Sequence, residues 1–147
     1  MAPLLSDPLH KELALTLYVE ELAAARWAWG ECDCTLAVAS WIERLHGIDP
    51  AKLFRGTYHT AEEARALVKR KGGFMPWIGM LLDRMGLERT QAPETGDVGI
   101  IIAPQAFRAT MPVVGAIMAI RRDHLWIAKA AHGIVGQPFE AIVAWRT

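Results

Sequence analysis

The chain has 147 residues, 52% of them hydrophobic, and its sixteen basic residues balance its sixteen acidic residues. This length and apolar content predict one globular domain over residues 1–147, and the absence of net charge argues against nucleic acid or a membrane surface as partner. The first fifteen residues lack the basic start of a secretory signal, and the longest uncharged run, residues 109–120, is too short to span a bilayer, so we expect cytoplasmic synthesis without membrane insertion.

Capping residues and apolar spacing predict four helices in the first two-thirds of the chain. Asp7 and Thr60 are typical residues at a helix start, and Gly47 is typical of a helix end. A loop after the second helix is expected to return Phe54 and Tyr58 to the core. The predicted helices cover residues 8–27, 33–46, 60–71 and 74–86.

From residue 97 the pattern changes to short apolar runs separated by glycine and proline, which is typical of strands. Because helices come first and strands follow closely on one another, we predict an α+β fold in which N-terminal helices pack on a C-terminal antiparallel sheet. Several runs are apolar on both faces, so we expect another chain to cover part of the sheet. The predicted strands are residues 98–102, 113–120, 124–130 and 141–145.

The only two cysteines lie one residue apart before the second predicted helix, in the stretch WGECDCTLAV. With Asp33 as the cap and Cys34 in the first turn, helix N–H groups and the helix dipole would stabilise a thiolate, as they do for a cysteine nucleophile. Cys34 also shares a helix stripe with Val38, Trp41 and Leu45. We therefore predict that the Cys34 face of this helix packs against the sheet.

The stretches WGECDCTLAV and GDVGIII resemble the NlpC family of papain-like cysteine peptidases, in particular its small relatives encoded among phage and gene-transfer-agent tail genes. The resemblance covers nearly the whole chain: Asp33 and Cys34 match the start of the family's central helix, and Gly96 and Asp97 match the start of its first strand. The segment GIDPAKLFRGTYHTAEEA, the double glycine near residue 72 and the AWR ending resemble the tail-gene branch. This resemblance implies an NlpC/papain-like fold with Cys34 in the place of the nucleophile.

The chain departs from this family at the two positions that would complete a catalytic site. The resemblance implies a histidine at the head of the second strand, where this chain has Val113, and an orienting polar residue near Ala128. Neither side chain can take a proton, and a cysteine nucleophile needs a base within hydrogen-bond reach. We therefore interpret Cys34 as a remnant nucleophile. With a different strand register, His124 or His132 would be the base.

Simpler interpretations of these residues stay open. Cys34 would also be explained as a buried inert thiol, since free cysteine is among the most buried residue types. Cys32 and Cys34 supply only half of a zinc or iron–sulfur ligand set, so we expect no metal and no cofactor. Six tryptophans would fill a core, and they would also suit an assembly whose subunits bury aromatic anchors in one another.

Two functions of different classes follow from these patterns. The missing base favours a structural component of a bacteriophage tail tip or hub, located in the virion tail and partnered by other tail-tip proteins. In that case we expect the isolated chain to expose an apolar patch that the particle covers. The alternative is an active tail-associated peptidase or amidase that cleaves peptidoglycan, with Cys34 as nucleophile and His124 as base. An unrelated small cytosolic enzyme or redox protein is a third interpretation.

Overall fold

The computed structural model describes residues 7–103, 115–138 and 140–147. Within these ranges, four helices come before five strands, which confirms the predicted α+β class. None of the described helices combines the length and the apolar character needed to cross a membrane. The elements are α1 (Pro8–Ala24), α2 (Cys34–His46), α3 (Ala61–Arg70), α4 (Phe74–Arg84), β1 (Val98–Ile102), β2 (Ala116–Arg122), β3 (Leu125–Ala130), β4 (Gly133–Gln137) and β5 (Val143–Trp145).

The helix ends depend on the capping residues that the sequence predicts. The Asp7 carboxylate accepts a hydrogen bond from the Leu9 amide at 2.9 Å, and the Thr60 hydroxyl accepts one from the Glu63 amide at 3.1 Å. Each contact satisfies a backbone N–H group that has no partner within its helix. Gly47 ends α2 with φ +73°, a conformation that glycine adopts without steric cost.

The strands form an antiparallel sheet in the order β4-β3-β2-β1-β5. The sequence patterns predict no strand at β4, because its glycines and the following Pro138 resemble a turn; the structure shows that this prediction is wrong. Strand β4 pairs with β3 along its whole length. Gly136 fits there because a Cβ atom at this position would lie 3.2 Å from the Cδ1 atom of Ile127, so a glycine inside a strand marks a close approach here.

Alternate residues of the central strands divide the core into two clusters. Val98, Ile100 and Met118 belong to the first cluster, which includes the buried faces of α1 and α2. Ile101 and Ala119 belong to the second, and both are 0% exposed. The prediction that another chain covers this second face is therefore wrong for the central strands, since the chain itself buries these residues.

Tryptophan contributes to the core and not to an exposed surface. Trp41, Trp126 and Trp145 are 0% exposed, and Trp77 is also buried. The expectation that tryptophans fill the core is therefore confirmed for these four indoles, whose buried surface leaves them unavailable as anchors for a neighbouring subunit.

The exposed apolar surface is aliphatic instead. Leu9, Leu13 and Leu17 lie one turn apart along the outer side of α1, and each is more than half exposed. The inner side of the same helix carries the predicted buried residues, which are Leu15, Tyr18, Val19 and Leu22. Helix α1 is thus apolar on two sides, of which the described residues cover one.

A buried cation ties α1 to the sheet. Lys129 on β3 is 1% exposed, and its Nζ atom donates to the carbonyl oxygens of Leu22 at 2.8 Å, Ala25 at 2.6 Å and Gly133 at 3.1 Å. Carbonyl groups in the last turn of a helix have no partner within that helix, and the helix dipole is negative there. Lys129 therefore serves as a tertiary cap for α1 and uses all three of its N–H donors on backbone oxygens.

Candidate functional site

Cys34 is the first residue of α2, as the sequence predicts, and its side chain is buried, with 7% exposure. Its Sγ atom lies 4.0 Å from the hydroxyl oxygen of Thr35. Burial, together with the negative charge of the adjacent Asp33, raises the pKa of the Cys34 thiol to about 12. At neutral pH the thiol is therefore protonated, although a helix N-terminus by itself would favour the thiolate.

Asp33 fixes the start of α2 and is 1% exposed. Its Oδ1 atom accepts from the Thr35 amide at 3.1 Å and from the Leu36 amide at 2.9 Å. Its Oδ2 atom accepts from the Gly30 amide at 3.0 Å and from the Tyr58 hydroxyl at 2.5 Å. These donors occupy the oxygens of the carboxylate, so Asp33 positions the helix start and the loop that carries Tyr58.

A cavity of about 360 Å³ lies beside Cys34, between the start of α2, the loop that follows α2, and helices α3 and α4. Its aromatic walls are Trp29, Phe54, Phe74 and Trp77, and the rings of Phe54 and Trp77 meet edge to face with their centroids 4.8 Å apart. Its volume falls in the range of small-molecule sites, about 300–1,000 Å³. The candidate site is therefore a largely apolar chamber with Cys34 in its wall.

The described residues that line this chamber from the sheet are apolar and carry no base. Ala116 and Ile117, at the start of β2, line the cavity together with Cys34. Val113, which the sequence places opposite the thiol, lies outside the described residues. Ala128, at the predicted orienting position, is buried in the same apolar cluster as Cys34. All five histidines of the chain are among the described residues, and none of them lines the cavity.

His124, the predicted alternative base, lies in the turn between β2 and β3 and is exposed. Trp41 on α2 donates to the Gly96 carbonyl at 2.8 Å, and the Gly96 amide donates to the Arg121 carbonyl at 2.8 Å. Because Arg121 is near the C-terminal end of β2, Trp41 lies close to the turn that contains His124. Cys34 lies about two helical turns away, toward the start of β2. The structure therefore does not bring Cys34 and His124 together.

His132 lies at the other end of the hairpin. It is an exposed residue in the turn between β3 and β4, next to the pairing of Ala130 with Gly133. Ala116 and Ile117 line the cavity at the start of β2, and β2 runs antiparallel to β3, so the end of β3 that precedes His132 lies at the same end of the sheet as the thiol. Its imidazole is outside the cavity lining.

The second motif, Gly96 and Asp97, performs a structural role at the opposite end of α2. Asp97 is 0% exposed; its Oδ2 atom accepts from the Glu94 amide at 2.8 Å, and its Oδ1 atom accepts from the Thr147 amide at 3.0 Å. The Arg146 Nε atom lies 3.3 Å from Oδ2, and the Lys11 Nζ atom lies 3.9 Å from Oδ1. Asp97 thereby joins α1, the start of β1 and the segment after β5.

Gly96 makes that junction possible. Its φ of +97° favours glycine, and a Cβ atom there would lie 2.6 Å from the Cε atom of Lys11. Its carbonyl oxygen accepts from Trp41 Nε1 at 2.8 Å and from the Thr147 hydroxyl at 2.7 Å. The glycine is thus explained by close packing and hydrogen bonding.

Cys32 lies just before α2, one residue from the Asp33 cap. It is half-buried, it pairs with Ala28 in an isolated β-bridge, and burial raises the pKa of its thiol. Across the described part of the chain, no three His, Cys, Asp or Glu side chains are grouped so that they could hold a metal ion.

Tyr58 and the cations of α3 are parts of the site that sequence reasoning did not assign. The patterns predict that Tyr58 returns to the core, which the structure confirms, but nothing in the spacing pairs it with a carboxylate 25 residues earlier. Arg65 and Lys69 line the cavity from one side of α3. The sequence could have indicated this pair by its spacing of four residues, which places both side chains on the same helix face.

A model of the family described as "Domain of unknown function (DUF6950)" matches residues 9–147. The match includes every described element except the first residue of α1, and the chain belongs to this family. No curated protein and no solved structure matches the chain. Function must therefore be argued from the chemistry of the site itself.

Proposed function

We propose that this DUF6950 protein is a structural component of a bacteriophage tail tip or hub, with an NlpC/papain-like fold that has lost its catalytic chemistry. The observation that carries the proposal is the environment of Cys34. The thiol is buried and protonated at neutral pH, and the strand residues that share its cavity are Ala116 and Ile117. A cysteine peptidase needs a base within hydrogen-bond reach of its nucleophile.

The arrangement of the elements supports the proposed relationship to papain-like peptidases. Cys34 begins a helix that packs on an antiparallel sheet, and β1 starts directly after the Gly96 and Asp97 pair. These are the positions that the sequence resemblance assigns to the nucleophile and to the first strand. Both pairs have structural tasks here, so their presence does not require an active enzyme.

The exposed side of α1 supports a role in assembly. Leu9, Leu13 and Leu17 form an aliphatic stripe that is exposed in the described part of the chain. Apolar surface of this kind is typical of a protein that binds another protein. We assign this stripe to contacts with neighbouring tail-tip proteins.

An active peptidoglycan peptidase or amidase is the competing proposal, and the position of His132 is the observation that favours it. This residue lies at the same end of the sheet as Cys34. Catalysis would require the exposed imidazole to enter the cavity and to lower the raised pKa of the thiol. The protonated, enclosed thiol favours the structural role.

Mass spectrometry of purified phage particles tests the location, and a peptidoglycan zymogram tests the activity. We expect the protein in the particle, no clearing of peptidoglycan, and normal assembly and infectivity of Cys34→Ala particles. Absence of the protein from particles would contradict the tail assignment. If Cys34→Ala and His132→Ala particles both assemble but fail to cross the cell wall, the enzyme proposal is correct, with His124→Ala as the matched control at the far end of the hairpin.

A further inference from the structure

The walls of the cavity beside Cys34 are largely apolar. Trp29, Phe54, Phe74 and Trp77 give it aromatic walls, and Leu67, buried on α3, adds an aliphatic surface. A volume of about 360 Å³ in a chain of this size is a preformed space, because protein interiors are otherwise close-packed. Binding is favourable when an apolar ligand replaces the water that contacts apolar walls of this extent.

The polar groups of the lining do not suit a peptide backbone. The Asp33 carboxylate is occupied by its donors, and one of these is the Tyr58 hydroxyl. The indole Nε1 of Trp77 has no hydrogen-bond partner among the described residues, but it is buried away from solvent and so offers no donor to a ligand in the cavity. A peptide entering the chamber would need partners for its own N–H and C=O groups, whereas an alkyl chain needs none. The lining therefore favours a hydrocarbon chain over a segment of another protein.

The edge of the cavity is positively charged. Arg65 and Lys69 lie one turn apart on α3, both are exposed, and both line the cavity. The one acidic side chain in the lining, Asp33, is enclosed and directed toward its own donors. An anionic head group at the edge would meet two cations, and a guanidinium or an ammonium forms charge-assisted hydrogen bonds with a carboxylate.

We propose that this cavity binds a free fatty acid, with the alkyl chain among the aromatic walls and the carboxylate at Arg65 and Lys69. The site requires no reaction at Cys34, whose protonated thiol forms part of the apolar wall. The proposal is independent of the tail assignment, because it depends on the cavity alone. If the protein does not bind a fatty acid, the tail-tip proposal is unaffected, and the reverse also holds.

Isothermal titration of the full chain with dodecanoate, below the concentration at which it forms micelles, tests the site. We expect one dodecanoate per chain and much weaker binding of dodecyltrimethylammonium, which has the same chain and a cationic head. The double variant Arg65→Gln/Lys69→Gln should bind dodecanoate at least about tenfold more weakly, since a factor of ten corresponds to about 1.4 kcal/mol. The matched control, Lys52→Gln/Arg70→Gln, removes two exposed cations outside the cavity lining and should change the affinity less than about twofold.

Filling the cavity gives a second test. Ala64→Phe places a ring in the chamber and should abolish dodecanoate binding, whereas Ala66→Phe on the exposed side of α3 should leave it unchanged. If Ala64→Phe does not fold, judged by circular dichroism, Ala61→Leu at the same wall replaces it. The proposal would be overturned by absence of dodecanoate binding, by equal binding of both amphiphiles, or by unchanged affinity in the cavity variants. Binding to anionic lipid vesicles without binding of free dodecanoate would also overturn it.

Discussion

Asp33 and Asp97 are both buried carboxylates in motif positions, but their partners are of different kinds. Asp33 accepts from three backbone amides and from the Tyr58 hydroxyl, all of them neutral donors. Asp97 accepts from two backbone amides and is also approached by the cations of Arg146 and Lys11. One carboxylate thus organises a helix start beside a cavity, and the other organises a junction of chain segments through charge.

The difference teaches that the residues of a motif can have folding roles of their own, separate from any chemistry at Cys34. Asp33 is needed for the start of α2 and for the Tyr58 loop, whether or not Cys34 reacts. Asp97 is needed where α1, β1 and the last residues meet, with no connection to the cavity. Each aspartate is therefore accounted for by folding, and the case for catalysis depends on what surrounds Cys34.

The largest effect is expected from Asp33→Ala. The change leaves three backbone amides and one hydroxyl, most of them buried, without their acceptor, so we expect the free energy of unfolding to fall by about 3–5 kcal/mol. Urea denaturation followed by circular dichroism measures this change. Asp33→Asn, which keeps one acceptor oxygen, should lose clearly less; equal losses for the two variants would show that capping is not the role of Asp33.

Asp97→Ala should follow, with a loss of about 2–4 kcal/mol, because it removes an acceptor for two amides together with the partner of two cations. Arg146 and Lys11 are partly exposed, so salt should screen their electrostatic interaction with Asp97 and reduce what it contributes to the free energy of unfolding. Denaturation at low and at high salt should therefore show a smaller loss at high salt for Asp97→Ala and an unchanged loss for Asp33→Ala. The same salt dependence in both variants would remove the distinction between the two sites.

Tyr58→Phe should have a smaller effect, about 1 kcal/mol, because it removes a single donor from Asp33 and keeps the ring that packs in the core. The loss should disappear in an Asp33→Ala background, since the hydroxyl then has no carboxylate to bind. A double-mutant cycle by urea denaturation measures this coupling. Additive losses would contradict a direct interaction between the two side chains.

Cys34→Ala should have the smallest effect on stability at neutral pH, below that of Tyr58→Phe, because a small apolar residue keeps most of the packing, but it should change the pH dependence of the stability. Because the folded protein raises the pKa of this thiol from 9.0 to about 12, the stability that Cys34 contributes is complete below pH 9 and decreases as the pH rises toward 12. The maximum slope is about 1.4 kcal/mol per pH unit.

The unfolding free energy of the unmodified protein should accordingly fall more steeply above pH 9 than that of Cys34→Ala. Cys32→Ala is the matched control, since its half-buried thiol also has a raised pKa but keeps partial contact with solvent. Parallel pH profiles for the unmodified protein and Cys34→Ala would show that the Cys34 thiol ionises freely in the folded state.

Local chemistry explains what the sequence could predict. Asp7, Asp33 and Gly47 act on residues within one turn, so simple capping rules locate their helix ends. Helical spacing likewise identifies the buried faces of α1 and α2. These features need no knowledge of the rest of the fold.

The features that escaped prediction depend on contacts between distant segments. The glycines of β4 resemble a turn because their fit against Ile127 exists only once the strands pair. The hydrogen bond from Tyr58 to Asp33 spans 25 residues. The contrast between His124 and His132 also depends on the strand pairing, since the two residues lie in consecutive turns at opposite ends of β3. No periodicity in the sequence contains this information.

The most direct test of the proposal that this site is not catalytic is the reactivity of the Cys34 thiol. Mass spectrometry would measure the rate at which iodoacetamide alkylates Cys34 between pH 6 and pH 10 in a folded Cys32→Ser variant. The environment of Cys34 predicts negligible alkylation at neutral pH and a rate that is still low at pH 10, because the pKa of the thiol is raised to about 12. Rapid alkylation at neutral pH, with a midpoint below pH 8 that His132→Ala shifts upward, would contradict this account and would establish Cys34 and His132 as a working catalytic pair.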